Sequence, residues 1–410
     1  METKTPDDKA AAPRRAAGFL LAVFGLGLTA TLAHEARPAV PRSAASASAE
    51  SLTIASVVAG GDHSCAITGR GAAYCWGAAM DRRATSSRAP VAFGPTIAWR
   101  LIALGATRGC GVDTAGRTYC WGSNAVGQNG TEPDSLEHPA PTPVEGLPPL
   151  TVLSASEQHT CGVGADGRVV CWGANRNGEL GRGFRSPWER PAPVFSLIRF
   201  GSVAVYGHSS CALTVEKRPS CWGLNAHWAA GPSWDADCLD SWTADSHSGI
   251  YECVAVPIEM ARYTPAQGWP GRAACAADAN SWFSCWRAVL GRPRRGKAWL
   301  APALPASPWP ELIALTGGSR HWCGIAADGT AYCEGDGSDG RLESPDSMPN
   351  AGTRAVAGGL RFRALAAGAE HTCGLSIEGR VYCWGRNEAG QLGSGSASYS
   401  ATPVEVVFPH

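Results

Sequence analysis

Sixteen cysteines are the residues with most chemistry to offer in this 410-residue chain. They fall as Cys65/Cys75, Cys110/Cys120, Cys161/Cys171, Cys211/Cys221, Cys238/Cys253, Cys275/Cys285, Cys323/Cys333 and Cys373/Cys383, and every pair but Cys238/Cys253 is spaced by ten. Structural zinc sites take their ligands at roughly two to four intervening residues, a spacing absent here. An even, regular set reads as a disulfide framework, which forms in an oxidising compartment. Histidine recurs two places ahead of the first Cys at His63, His159, His321 and His371, and a ring of imidazoles could hold a metal. Arg108, Ser209 and Ala273 take that place in the other copies and break the ring, so these histidines read as structural residues with hydrogen-bond partners. No metal or other cofactor is expected.

A second cluster is Asp235, Asp237, Asp240 and Asp245, whose oxygens could bind calcium. Their spacing fits no standard calcium loop, and a solvated loop tied by Cys238–Cys253 is the plainer reading. The same stretch carries Trp228, Trp234, Trp242 and Tyr251. Aromatics on a stapled loop suit a binding hot spot, and these four are the candidate binding residues. Their alternative role is packing against the scaffold. The basic run Arg292, Arg294, Arg295 and Lys297 reads as a solvated loop. Nucleophile-elbow, phosphate-loop, zinc-protease and dinucleotide fingerprints are absent, and no catalytic residue is assigned.

The elements that must carry these residues repeat. Aligned on the first Cys of each ten-spaced pair, seven copies start at 65, 110, 161, 211, 275, 323 and 373. A period near 50 indicates a propeller or solenoid with one supersecondary unit per copy. Gly stands six places after the first Cys at Gly71, Gly116, Gly167, Gly329 and Gly379. A three-residue turn such as Ala165-Asp166-Gly167 sets Gly164 opposite Arg168, and therefore Cys161 opposite Cys171. Directly opposed positions are within reach of a disulfide, which predicts one cross-strand bridge per copy. Trp76, Trp121, Trp172, Trp222, Trp286 and Trp384 follow the second Cys, with Glu334 in the sixth copy. Strand alternation turns that ring away from the bridge, to fill the gap between neighbouring units.

Three segments resemble the repeat of the regulator of chromosome condensation family. They are Ala367-Gly368-Ala369-Glu370-His371-Thr372-Cys373, Trp384-Gly385-Arg386-Asn387 and Gly390-Gln391-Leu392-Gly393, and the resemblance runs over residues 52–410. The cysteine pairs resemble a secreted bacterial branch of that family. The resemblance implies an all-β, seven-bladed β-propeller. Copy five has Arg287 after its Trp and lacks the Gly-Gln-Leu-Gly element, copy six reads Cys333-Glu334-Gly335-Asp336, and copy four is followed by an insertion at about 224–270. Copies five and six are therefore expected to be irregular. The family's chromatin binding and nucleotide exchange are not carried over, because an exported chain meets neither partner.

Export is expected from the N-terminus. Residues 1–33 pair Arg14 and Arg15 with an apolar run from Ala16 to Ala33, which reads as a cleaved export signal or a retained anchor. Residues 34–51 are an Ala/Ser/Pro linker and 52–410 the propeller. Lys plus Arg and Asp plus Glu each total 35, so net charge gives no reason to expect nucleic acid as a partner. Membrane contact is expected only through an uncleaved N-terminus. The expected function is an exported, non-enzymatic scaffold of the cell envelope or beyond that binds a protein. The resemblance includes a secreted propeller that inhibits β-lactamases, so inhibition is one version. The rivals are a lectin, in which exposed Trp stack on glycans, and an extracellular hydrolase. The first copy has no Pro-Val strand ahead of it, whereas Pro403-Val404 follows the last copy. On that reading residues 402–408 complete the blade of Cys65 and Cys75 and close the ring.

Overall fold

Repeated apolar strands separated by Gly turns fold here into sequential antiparallel sheets. The computed structural model describes residues 52–78, 86–216, 219–224, 253–259, 273–277, 283–287, 312–319, 321–335, 340, 351–396 and 399–409. Six four-stranded meanders are present: β1–β4 over 54–93, β5–β8 over 99–143, β9–β12 over 150–193, β13–β16 over 200–259, β19–β22 over 312–355 and β23–β26 over 362–405. We number them blades one to six. Between the fourth and fifth lies a two-stranded hairpin, β17 (Ala273–Ala277) and β18 (Phe283–Arg287). Ser51–His410 is one compact unit.

Seven blades were expected, and six are found among the described residues. The hairpin keeps the repeat register, with Cys275 opposite Cys285. The sequence ahead of the hairpin departs from that of the complete blades. Eleven places ahead of the first Cys, the complete blades have Ile54, Trp99, Leu150, Phe200, Leu312 and Phe362, all in their first strands. Copy five has Thr264 there, followed by Pro265, Gly268 and Pro270. Proline withdraws ladder donors, so this run departs from the inner-strand pattern of the complete blades, and residues 260–272 lie outside the described residues.

The third blade shows how sequence sets register. Its strands are β9 (Leu150–Ala155), β10 (His159–Gly164), β11 (Val169–Asn175) and β12 (Ser186–Pro193). Gly167 sits at φ 78° in the β10–β11 turn. The Gly167 amide donates to Gly164 O at 2.9 Å, and the Gly164 amide to Arg168 O at 2.8 Å. Cys161 then faces Cys171, and the disulfide joins Cα atoms 4.1 Å apart. The five other bridges, Cys65–Cys75, Cys110–Cys120, Cys211–Cys221, Cys323–Cys333 and Cys373–Cys383, span 4.0 or 4.1 Å in the same way.

The tryptophans sit where strand alternation placed them. Each described seam takes the bridge of one blade and the Trp of the next: Cys161 and Cys171 with Trp222, Cys110 and Cys120 with Trp172, Cys323 and Cys333 with Trp384, Cys373 and Cys383 with Trp76. Cys65 and Trp121 share the first-to-second seam with Trp99. In the fifth blade the ring has crossed the strand pair. Trp322 lies directly opposite Glu334 and puts an aromatic on the same sheet face from the neighbouring strand.

The C-terminal clasp is not formed as expected. β26 (Ser400–Glu405) pairs with β25 (Val381–Gly385), setting Val404 opposite Cys383 in the sixth blade. The first blade has its own fourth strand, β4 (Ser87–Phe93), with Val91 opposite Cys75. Each Pro-Val element thus completes the blade that precedes it, and neither end has a spare or missing strand. The terminus still spans the seam by packing. Val406 is buried in the sixth-to-first core, and the Phe408 ring meets Tyr74 and Trp76 edge-on, both at 5.9 Å.

Candidate functional site

The described polar chemistry concentrates at the seams. His159 begins β10, and its Nε2 lies 2.8 Å from Ser210 Oγ of the fourth blade. Ser210 Oγ donates to Glu179 O at 2.8 Å, and Ser156 Oγ lies 3.0 Å from His159 Nδ1. With the Ser210 proton used on a carbonyl, the imidazole must donate from Nε2 and accept at Nδ1. The same link joins His321 to Thr372 at 2.8 Å and His371 to Ser64 at 2.7 Å. Arg108 takes the His position in the second blade and donates to Thr160 Oγ1 at 2.8 Å and Ser156 O at 2.9 Å, and also to Gln128 O. Arg108, His159, His321 and His371, each two places before a Cys, therefore grip the hydroxyl one place before the Cys of the next blade. His63 makes no such bond. Its Nε2 has no hydrogen-bond partner, because the next blade offers Gly109, and a Cβ there would lie 2.5 Å from the Trp121 ring.

Burial sets the charge of this belt. His63 and His159 are pushed down to about 4 and His371 to about 3, chiefly by desolvation, so all three are neutral at pH 7. Arg108 is lowered to about 9 by the same cause and remains a cation held by carbonyls and a hydroxyl. The Ser–His pairs have a hydrolase-like distance but the opposite proton direction and no solvent access, with His159 and His371 0% exposed and Ser64 and Ser210 at 0% and 1%. A nucleophilic serine needs a histidine that accepts its proton. These pairs fasten blades together.

A second tier fastens the loops. Asn175 Oδ1 accepts the Leu180 amide at 3.1 Å, while its Nδ2 donates to Phe184 O at 3.0 Å. Asn124 and Asn387 repeat the arrangement with the Asn129 amide at 3.0 Å and the Leu392 amide at 2.9 Å. The loops present one carbonyl each to the next blade's indole: Trp172 Nε1 donates to Gln128 O at 3.1 Å, Trp222 Nε1 to Glu179 O at 2.8 Å and Trp76 Nε1 to Gln391 O at 2.9 Å. The Gln or Glu side chain then meets the next blade's turn. Gln128 Nε2 donates to Glu157 O at 3.3 Å and Gln391 Nε2 to Asp62 Oδ1 at 3.3 Å, whereas Glu179 Oε1 accepts from His208 Nδ1 at 3.2 Å.

These elements have relatives. The profile of the Regulator of chromosome condensation (RCC1) repeat matches residues 54–79, 151–179 and 362–391, and a companion profile of the same repeat matches 378–410. The chain carries RCC1 repeats. Its matches fall in the first, third and sixth blades, where the turn, the bridge strands and the following Trp-Gly are intact. The mitochondrial RCC1 domain-containing protein RUG3 of Arabidopsis thaliana is 36% identical over 96 residues, 23% of this chain and 22% of that one. The probable E3 ubiquitin-protein ligase HERC6 of Homo sapiens is 31% identical over 111 residues, 26% of this chain and 10% of that one. The chain thus spans less than a quarter of either relative. Human WBSCR16 is similar in structure, with a TM-score of 0.49, 13% identity and coverage of 88% of this chain and 83% of that one.

Trp228, Trp234, Trp242, Tyr251 and the Cys238–Cys253 staple lie outside the described residues or side chains, as do the Asp cluster, the basic run and the N-terminal 51 residues. Among the described residues no helix is long and apolar enough to cross a membrane, and no three His, Cys, Asp or Glu are grouped to hold a metal. Sequence reading missed the hydroxyl partners Ser64, Thr160, Ser210 and Thr372. Their signal was present as Ser or Thr directly before Cys in four copies, but the contact is made to a blade about one repeat away.

Proposed function

We propose that the chain is an exported protein-binding scaffold, engaged through the insertion at 224–270 with Trp228, Trp234, Trp242 and Tyr251 as anchors. The observation that carries this reading is the set of six cross-strand bridges, with eleven of their twelve cysteines buried. Such a framework needs an oxidising compartment to form, which agrees with an export signal in residues 1–33. The described Ser–His pairs are consumed in joining blades, which favours binding over hydrolysis. On this reading the β17–β18 hairpin is the kernel of a seventh blade, since it keeps the Cys275–Cys285 register.

Two experiments test the proposal. A phosphatase fused to the C-terminus of the full chain is expected to be active outside the cytoplasm, and activity confined to the cytoplasm would remove the export reading. Affinity capture with the full chain from envelope and culture supernatant is expected to retain a protein, and Trp234→Ala with Trp242→Ala to weaken retention about 30-fold or more. Unchanged retention with a large fall in melting temperature would make the rings core residues. Signal on a glycan array without protein capture would favour the lectin reading.

A further inference from the structure

The third-to-fourth seam differs from the second-to-third and sixth-to-first seams in a way that bears on the root of the insertion. At the second-to-third and sixth-to-first seams the loop contributes a Gln amide as donor and the next blade an acceptor, Gln128 to Glu157 O and Gln391 to Asp62 Oδ1. Here both partners are exchanged. The loop supplies a carboxylate, Glu179, and the next blade a donor, His208. The contact survives the double exchange, but it becomes an ionisable pair.

The position of that pair matters. Gly223, at the end of β15 (Pro219–Leu224), is wedged between its two members. A Cβ on Gly223 would lie 2.5 Å from His208 O and 3.4 Å from the Glu179 Cα. Gly223 also pairs with Ser209 on one side and Val254 of β16 (Cys253–Glu259) on the other. The chain leaves β15 one residue later and returns at Cys253, so the Glu179–His208 pair grips the backbone from which the insertion departs.

Glu179 is poorly placed to lose its partner. Its side chain is 1% exposed, against 40% for His208. Its carboxylate also accepts the Asn177 amide at 2.8 Å and Asn177 Nδ2 at 2.7 Å, both neutral donors. The charged and titratable groups facing His208 are Glu179 and Glu157, both from the third blade, with buried His159 beneath. Both carboxylates favour the imidazolium.

We propose that Glu179 and His208 form a pH-sensitive latch at the root of the insertion, fastening the third blade to the fourth in mild acid and loosening that seam as the solution turns alkaline. The direction follows from linkage. The hydrogen bond to Glu179 raises His208 above its ordinary 6.5, so its contribution is full below 6.5 and is lost as pH rises through the raised value. Burial pushes Glu179 up, but the hydrogen bonds from His208 and Asn177 outweigh it and hold the group below its ordinary 4.5. That contribution is present above 4.5 and is lost as pH falls through the lowered value. The latch is therefore strongest between 4.5 and 6.5. The buried belt histidines act in the opposite sense, gaining stability as pH rises to 6.5, and cannot produce an alkaline loss.

Hydrogen exchange on the full chain tests this, with rates corrected for intrinsic base catalysis. Between about pH 6 and about pH 8.5, protection of peptides covering 207–216 and 219–224 is expected to fall about 5- to 10-fold, with the second-to-third seam held within about twofold. Glu179→Gln with His208→Asp installs the pairing of the sixth-to-first seam and is expected to abolish the pH dependence. His208→Gln, which keeps a donor without the titration, should do the same if the double variant fails to fold. Wild-type protection that does not change across this range, or a variant that keeps the full dependence, overturns the latch. The result is independent of whether the insertion binds a partner.

Discussion

Gly173 stands at φ 105°, and a Cβ added to it would lie 2.5 Å from the carbonyl oxygen of Gln158. Backbone conformation and space both exclude a side chain, so Gly173→Ala is expected to cost about 2 kcal/mol or more in a denaturant melt. Gly146 shares a positive φ of 77° but has nothing within 4 Å, and Gly146→Ala should cost only about 1 kcal/mol. Equal costs would mean that the close approach is unimportant. The buried imidazoles give a second expectation. His63 and His159 at about 4 and His371 at about 3 stay neutral in the fold while the unfolded chain takes up protons below 6.5. Stability should therefore decline as pH falls below 6.5, by up to about 1.4 kcal/mol per pH unit for each histidine. Melting temperature measured from pH 7 to pH 5 checks this, and a flat profile would count against neutral burial. At this scale the sequence was readable where the cause is local. A spacing of ten with Gly at the sixth place dictates a turn, a register and a bridge. The move of the aromatic from the Glu334 position to Trp322 is a trade between two strands, which neither strand shows on its own.

Between elements, access to the bridges is uneven. Of the twelve described bridge cysteines only Cys75 is partly exposed, and the other eleven are buried. Exchange requires a thiolate to reach a sulfur, so Cys65–Cys75 is expected to be the first of the six described bridges to be reduced under native conditions. Timed alkylation with peptide mapping reads the order, and early labelling of Cys161 or Cys373 would show that access does not set it. Strand content and seam composition were legible from the copies, since period-two alternation sends bridge and Trp to opposite faces. The departure of copy five is legible too, since Thr264, Pro265 and Pro270 stand where the complete blades begin with an apolar strand. The partners across seams were harder. His371 and Ser64 are 307 positions apart, and only the repeat period hints that position and neighbouring position should meet.

In the whole molecule the C-terminus is a wedge at the closing seam. Phe408→Ala removes a half-buried ring from Tyr74 and Trp76 and should cost about 1–2 kcal/mol, whereas Val407→Ala, 60% exposed, should stay within about 0.5 kcal/mol. Thermal melts of the two variants decide between a packed wedge and a free tail. Residues 402–408 do not complete the first blade, because each Pro-Val element ends a copy: Val91 and Val404 sit opposite the second Cys of the copies before them.

The pairing of one blade's bridge with the next blade's Trp gives every described seam the same sense. One face of each blade is a socket and the other a plug. A ring opened at any seam would present a free socket at one end and a free plug at the other, each fitted to its counterpart on a second molecule. Because the two surfaces differ, such contacts need not close on themselves and can extend head to tail. The hazard in a ring of this design is therefore open-ended chaining of intact subunits, set by how often a seam parts and by how concentrated the protein is.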